Sequence, residues 1–168
     1  TQQGHSVKVE SGCGEKANFS DLDYSSVGGE IVFDSKQIFE SDIIIKIAPP
    51  TEEEVVMMRA DQILISAIQL VRAKEVIFKK MIAKNITAIG FEFLRDDSDS
   101  LPVIRSMSEI AGRASVLIAA EFLSNYNSGK GELFGGIPGI QPTQVVIIGA
   151  GAVGEYAIRA AMGLGASV

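Results

Sequence analysis

The chain has 168 residues, of which 46% are hydrophobic and 21% are charged, a composition typical of a globular protein with a sizeable core. Its net charge of −6 argues against nucleic acid as a partner, because phosphate neutralisation needs clustered lysine and arginine. The single cysteine, Cys13, excludes an intrachain disulfide and a cysteine-pair metal site, and it favours a reducing, cytoplasmic setting. No apolar run is long enough to span a bilayer, and no signal peptide is visible.

The first half of the chain alternates between strand and helix patterns. Strands are predicted from alternating or continuous apolar runs over 5–11, 30–33, 42–50, 62–70 and 86–94. Helices are predicted between them over 20–29, 35–41, 51–58 and 73–85. Ser20 is predicted to cap the first helix, and Thr51 and Glu54 have capping-box spacing in the third. In the fourth helix the expected apolar side comprises Val76, Ile77, Met81 and Ile82.

The second half begins with the polar loop 95–100, whose three aspartates are interpreted as a solvated turn rather than a cation site. A long helix is predicted over 106–126, started by a capping box of Ser106 and Glu109. Its expected apolar side comprises Ile110, Ala114, Leu117, Ile118 and Phe122. A glycine-rich loop over 129–142 precedes a buried strand at 144–149 and a further helix at 151–165.

The alternation predicts the α/β class, with a doubly wound parallel-sheet domain followed by the start of a second α/β domain. We expect residues 1–105 to form the N-terminal domain, incomplete at its start. Residues 106–168 are expected to form a linking helix and the first part of the second domain, incomplete at its end. The opening TQQGHSVKVE has no initiator methionine, and we interpret the chain as an internal piece of a longer protein.

The most informative motif is G-x-G-x-x-G, formed by Gly149, Gly151 and Gly154 between an apolar strand and a helix. The first glycine permits a tight turn, the second lets a pyrophosphate approach the backbone, and the third lets helix and strand pack closely. Ala152 and Val153 are small enough to keep that approach open. The acidic residue that would bind a ribose hydroxyl falls just past Val168, so the preference between NAD and NADP stays open. The alternative is a glycine turn that binds nothing.

Several segments resemble the alanine dehydrogenase and pyridine nucleotide transhydrogenase alpha-subunit family. In the second half these are RSMSEIAGRASVLIAAEFL and GGIPGIQPTQVVIIGAGAVGEYAIRAAMGLGASV. In the first half they are GHSVKVESGCGEKANFSDLDYSSVGGEIV and SDIIIKIAPP. MSEIAGR is nearer to the dehydrogenase form. The resemblance implies two α/β domains, with 1–105 on the substrate side and 106–168 as a linking helix and the start of a Rossmann dinucleotide-binding domain that binds NAD. It also implies an oligomer and NAD-linked oxidative deamination of L-alanine to pyruvate and ammonia.

The resemblance also implies site residues, two of which are changed. The family's lysine after the third strand corresponds to Ala48, and its histidine after the fourth corresponds to Gln69. Glutamine can hydrogen-bond a carbonyl but cannot accept a proton near neutral pH. Lys46 is predicted to face the same side of the strand as Ala48, deeper along it, where its long side chain would cover part of the distance; the favoured alternative is a strand-end lysine that points to solvent. Ser108 matches a family position near the cofactor phosphates, or it is a helix-start residue.

These observations give the following functional predictions. Cofactor contacts are predicted at Ser108, Gly149, Gly151, Ala152, Val153 and Gly154, and substrate contacts at Lys46 and Gln69. No catalytic or metal-binding residue is predicted, and the sole histidine, His5, is interpreted as structural. The first hypothesis is a cytoplasmic, homo-oligomeric, NAD-dependent amino-acid dehydrogenase with no membrane partner. The second is the nucleotide-binding part of a transhydrogenase, which would require membrane partners. The third is a non-catalytic NAD-binding module.

Overall fold

A computed structural model describes residues 3–72 and 74–168. The chain divides into two compact units, Thr1–Phe93 and Leu94–Val168. The predicted domain boundary between residues 105 and 106 stays a prediction.

In the described part of the first unit, five short strands form two parallel sheets. β1 (Lys8–Glu10) pairs with β2 (Glu30–Val32). The second sheet has the order β3-β4-β5, built from Ile43–Ile45, Ile63–Ser66 and Thr87–Gly90. All five predicted strands and their parallel pairing are confirmed, although each strand is shorter than its apolar run. Parallel strands place their carboxyl ends at one edge of the sheet, where ligands bind in open α/β folds.

Four helices connect these strands, as predicted. They are α1 (Asp21–Ser26), α2 (Ser35–Ile38), α3 (Glu52–Met57) and α4 (Glu75–Ala83). The capping roles of Ser20 and of the Thr51–Glu54 pair are confirmed, because the side chain of each cap accepts from the amide three residues on. These caps satisfy amide groups that have no partner inside the helix.

The core of the first unit lies around the central strand β4. Leu64 and Val55 are completely buried, and Ile44, Met58 and Met81 pack with them. The predicted apolar side of α4 is partly wrong. Met81 is buried and Ile77 packs against the core, but Val76 and Ile82 are exposed, Ile82 to 77%. This nine-residue helix covers the sheet with one narrow apolar stripe, and Val76 and Ile82 lie outside that stripe.

The second unit is built on α5 (Pro102–Leu123), which begins four residues before the predicted start. Proline occupies the first turn of the helix, where its missing amide costs no hydrogen bond. The predicted capping box is therefore wrong: the Ser106 hydroxyl lies inside the helix and donates to the Pro102 carbonyl at 3.0 Å. In the described part of the chain, no helix has both the length and the apolar character that crossing a membrane requires.

The buried face of α5 also differs from the prediction. Gly112 and Val116 are its buried residues, and Ala120 and Leu123 continue the stripe at helical spacing. Of the predicted apolar side, the exposed members are Ile110, Leu117, Ile118 and Phe122. The face of α5 that carries Gly112 packs against the neighbouring helix, because only a residue as small as glycine permits the two helices to approach closely.

The segment 144–149 is extended but forms no ladder. Gln144 makes a single parallel bridge with Ser167. Val145 and Ile147 pack against the core of Phe134, Val116, Ala157 and Ala161, whereas Val146 and Ile148 are exposed, Ile148 to 97%. The predicted buried strand is therefore covered on one face only. A β-ladder needs neighbouring strands, and the described residues supply a single bridge. The helix that follows, α6 (Ala152–Gly163), is confirmed.

The polar loop 95–100 is an aspartate-centred turn. The Asp96 carboxylate accepts from the amides and the hydroxyls of both Ser98 and Ser100 at 2.6–3.0 Å. These bonds, led by the Ser98 hydroxyl, lower the pKa of Asp96 from 3.8 to about 2. The carboxylate is saturated by its own loop, which explains why this aspartate-rich sequence forms a turn.

Candidate functional site

The turn between the extended segment and α6 adopts the conformation that the glycine motif predicts. Gly149 has φ of +118°, a backbone conformation that side-chain-bearing residues rarely adopt. At Gly154 a Cβ atom would collide with the carbonyl oxygen of Gly149 and lie 3.0 Å from its carbonyl carbon. Turn and helix therefore contact each other through these two glycines, which is the packing expected of the first and third motif positions.

Gly151 has a different environment. It is the N-cap of α6 with extended backbone, φ −80° and ψ −176°, so its conformation does not require glycine. A Cβ atom there would meet no atom within 4 Å. Gly151 therefore borders open space, where a ligand can approach the main chain.

Three amide groups face this region without a partner from the helix. The first intrahelical bond of α6 runs from the Glu155 amide to the Gly151 carbonyl at 3.0 Å, so the amides of Ala152, Val153 and Gly154 precede it. Such amides, together with the positive end of the helix dipole, attract anions. The Glu155 carboxylate in the same turn pairs with Arg159 at 2.6 Å, and this pairing reduces its repulsion of an incoming anion.

The turn lines a concavity of about 470 Å³ within the second unit. Its walls include every residue predicted to contact a cofactor: Ser108, Gly149, Gly151, Ala152, Val153 and Gly154. Ser108 lies in the second turn of α5, so its prediction as a helix-start residue is wrong. The apolar part of the lining includes Val116, Phe134, Val145 and Ile147. A polar turn beside an apolar wall is typical of small-molecule and cofactor sites.

A polar cluster on the other side of the α6 terminus was missed by the sequence analysis. The Tyr156 hydroxyl donates to Glu109 at 2.6 Å, and the Arg105 guanidinium lies 3.5 Å from the same carboxylate. The hydrogen bond from Tyr156, and secondarily Arg105, lowers the pKa of Glu109. Arg113 stacks over the Tyr156 ring at 5.0 Å. The signal available in the sequence was the four-residue spacing of Arg105, Glu109 and Arg113; the partner on α6 had no local signal.

In the first unit, Gln69 lies beyond the carboxyl end of β4 and lines a cavity of about 300 Å³. Its backbone is left-handed, with φ of +48°. Glu92 Oε1 accepts from the amides of Ile68 and Gln69 at 2.8 and 2.7 Å. Glu92 Oε2 is buried and, within the described residues, has no hydrogen-bond partner. Glu92, another residue that the sequence analysis missed, thus fixes the loop that carries Gln69.

Lys46 is placed differently from either expectation. β3 ends at Ile45, so Lys46 and Ala48 both follow the strand, and the prediction that they lie together within it is wrong. The Lys46 ammonium contacts both carboxylate oxygens of Glu54 at 2.5 Å, with the two side chains 20% and 24% exposed. A substrate carboxylate would therefore have to compete with Glu54 for this lysine. His5 is exposed and precedes β1.

The role of Glu92 can be tested by its stability contribution. Glu92→Ala is expected to lower the free energy of unfolding by about 2 kcal/mol, because two loop amides lose their acceptor. Glu92→Gln keeps an acceptor oxygen for both amides but loses the negative charge that strengthens these bonds, so it is expected to lose about half as much. Urea denaturation of both variants measures these losses, and an unchanged Glu92→Ala protein would contradict the assigned contacts.

The two units together define a class: an α/β protein whose parallel sheets precede a Rossmann-like strand–glycine turn–helix. The chain belongs to the alanine dehydrogenase/PNT family. Residues 1–111 match the family described as alanine dehydrogenase/PNT, N-terminal domain, and residues 115–168 match the alanine dehydrogenase/PNT, C-terminal domain.

Relatives and solved structures agree with this membership. The chain is 38% identical to an alanine dehydrogenase of Methanococcus maripaludis over 98% of its length and 44% of that protein. It is 37% identical to an alanine dehydrogenase of Mycolicibacterium smegmatis, covering all of this chain and 45% of that one. A solved L-alanine dehydrogenase superposes with a TM-score of 0.90 at 37% identity, over 99% of this chain and 46% of its own. A transhydrogenase from Sinorhizobium meliloti superposes with a TM-score of 0.82 at 22% identity, over 98% and 49%. The chain thus spans about half the length of these relatives.

Proposed function

We propose that this chain is part of an NAD-dependent oxidoreductase that converts L-alanine to pyruvate and ammonia. The observation that carries the proposal is the turn 149–154, where open space at Gly151 adjoins the amides that precede the first intrahelical bond of α6. The similarity of both units to alanine dehydrogenases supports the choice of reaction.

The residues of the turn fit a dinucleotide. A Cβ at Gly151 would enter empty space, which is the space that a pyrophosphate occupies in this motif. The main-chain amides of Ala152, Val153 and Gly154 would hold the phosphates, Gly149 would shape the turn, and Ser108 would add a hydroxyl from α5. NAD, when bound, supplies the acceptor for the hydride; the protein positions it.

On the substrate side, Gln69 orients rather than reacts. Its side-chain amide can donate to a carbonyl or carboxylate oxygen, but it cannot take up a proton near neutral pH. We therefore assign it to substrate binding, and we assign the proton acceptor to none of the residues named here. Lys46, paired with Glu54 at 2.5 Å, would bind substrate only by exchanging that partner.

A non-catalytic NAD-binding module is the second candidate; the resemblance favours it, because it implies that Gln69 stands where the family has its proton-accepting histidine. A transhydrogenase-like role is the third; the likeness to the transhydrogenase from Sinorhizobium meliloti, at 22% identity, concerns the fold alone. A cytoplasmic location and a homo-oligomeric assembly stay predictions.

Turnover of the full-length protein tests the proposal. We expect NADH formation from NAD with L-alanine, and much less with larger L-amino acids. Assays with NADP in place of NAD determine the cofactor preference. Binding of NAD without NADH formation from any L-amino acid would contradict the proposed reaction and favour the non-catalytic module.

A further inference from the structure

A second concavity, of about 450 Å³, borders the turn 149–154 within the second unit. Ser108, Gly151 and Ala152 line both this concavity and the one described above. The two spaces therefore meet at the main chain where α6 begins. An anion held by the first amides of α6 is open to side chains from either space.

The charged side chains of the second concavity are Arg95, Asp99, Arg105 and Glu155. Arg95 pairs with Asp99 at 3.2 Å, and Glu155 pairs with Arg159 at 2.6 Å. These two pairs contribute little net charge to the concavity. Its electrostatic character is therefore determined by Arg105.

Arg105 is held only loosely by its own partner. Among the described residues, the carboxylate at ion-pair distance from it is that of Glu109, with Nε 3.5 Å from Oε1. Tight charge-assisted hydrogen bonds measure about 2.7–2.9 Å. The same Oε1 already accepts from the Tyr156 hydroxyl at 2.6 Å, and the other oxygen of Glu109 lies 3.9 Å from Arg113. One carboxylate thus faces two guanidinium groups, and a positive charge remains.

The Arg105 guanidinium has donors left for a further anion. Its side chain is 64% exposed. A guanidinium carries five N–H donors in a planar fork and stays charged at every pH at which proteins fold. Arg105 can therefore bind a phosphate without releasing Glu109.

The face of α5 that carries Arg105 points toward the start of α6. Arg105, Ser108 and Gly112 follow one another at spacings of three and four residues and share that face. A Cβ atom at Gly112 would collide with the carbonyl oxygen of Val153 in the first turn of α6. Ser108 lines the turn, and Arg105 lies about 4.5 Å before it along the helix axis. Arg105 is thus placed beside the anion-binding amides.

The turn itself supplies no cation. Residues 149–154 read GAGAVG, and the end of a helix offers an anion only about half a positive charge. A diphosphate carries about two negative charges. A side-chain cation close to the turn would neutralise much of the remainder.

We infer that Arg105 binds the pyrophosphate of the dinucleotide held at the start of α6, as the side-chain cation of that site. The inference rests on the proposed function, which places a dinucleotide at this turn, and it adds a residue that lies outside the glycine motif. The phosphates would then lie between the amides of α6 and the guanidinium on α5.

Calorimetric titration of the full-length protein with NAD tests the inference. At an ionic strength of about 0.1 M, Arg105→Gln is expected to raise the Kd about tenfold, the effect of losing one charge-assisted hydrogen bond. Arg105→Lys keeps the charge but loses the fork, and we expect an increase of about threefold. At about 1 M the Debye length falls to about 3 Å, so the difference between Arg105→Gln and the unmodified protein is expected to shrink.

Arg113→Gln is the matched control. Arg113 lies on the same helix and approaches the same carboxylate, but it lines neither concavity. The change in net charge is identical, and the Kd for NAD is expected to stay within about twofold of the original. Urea denaturation of each variant verifies that it is folded.

The outcomes separate this residue from the proposed function. Unchanged affinity in Arg105→Gln, while Gly151→Val weakens NAD binding, overturns the inference and leaves the site at the turn standing. Equal weakening in Arg105→Gln and Arg113→Gln, or a loss in Arg105→Gln that is the same at both ionic strengths, also overturns it. A full-length protein that does not bind NAD contradicts both. The expected pattern of affinities without NADH formation supports the role of Arg105 and contradicts the proposed reaction.

Discussion

Replacing Gly151 with valine is expected to raise the Kd for NAD by about 100-fold or more while the protein stays folded. The side chain would fill the space beside the amides of α6, where nothing lies within 4 Å of a Cβ, and so would exclude the pyrophosphate. Several hydrogen bonds to a charged group would be lost together, each contributing about 1.5–3 kcal/mol. Because the backbone of Gly151 is extended, valine introduces no strain there.

Gly163→Val is the matched control for this substitution. Gly163 ends α6 and likewise has no atom within 4 Å of a Cβ, but it lies outside the concavity formed by the turn. Fluorescence or calorimetric titration with NAD measures both variants. Unchanged affinity in Gly151→Val, or equal weakening in both, would mean that the turn is not where NAD binds.

The second large effect is on stability. Gly112→Ala is expected to lower the free energy of unfolding by about 3 kcal/mol, because its Cβ would meet the Val153 carbonyl oxygen and lie 2.9 Å from the Tyr156 Cβ. The nearest obstacle is backbone, so α5 and α6 would have to separate. They pack through the same face that holds Val116 and Ala157.

The same change at Gly163 is expected to raise the free energy of unfolding instead of lowering it. Gly163→Ala meets no atom within 4 Å, and alanine in a helix is about 0.5–1 kcal/mol more favourable than glycine. Urea denaturation of the two single variants provides the comparison. If Gly112→Ala is as stable as Gly163→Ala, the close approach of α5 and α6 is wrong.

Local signals carried most of what the sequence predicted correctly. The capping boxes and apolar runs predicted the strands and helices of the first unit. Capping boxes are local signals, because their hydrogen bonds join residues only three positions apart. The motif at Gly149, Gly151 and Gly154 predicted the turn because its backbone conformation requires particular residues at particular places.

The orientation of α5 required information that local spacing does not contain. The helix has apolar residues on more than one side, and the predicted stripe through Leu117 and Phe122 is exposed. Gly112 selects the buried face instead, since it permits the close contact with Val153. The same reason applies to two contacts between residues far apart in sequence, Glu92 with Gln69 and Tyr156 with Glu109. No local sequence pattern indicates them.

The most direct test of the account is a crystal structure of the full-length protein with NAD bound. The account predicts that the pyrophosphate lies within hydrogen-bond distance of the amides of Ala152, Val153 or Gly154, above Gly151. NAD bound elsewhere on the protein, with the turn 149–154 covered by other protein atoms, would contradict it.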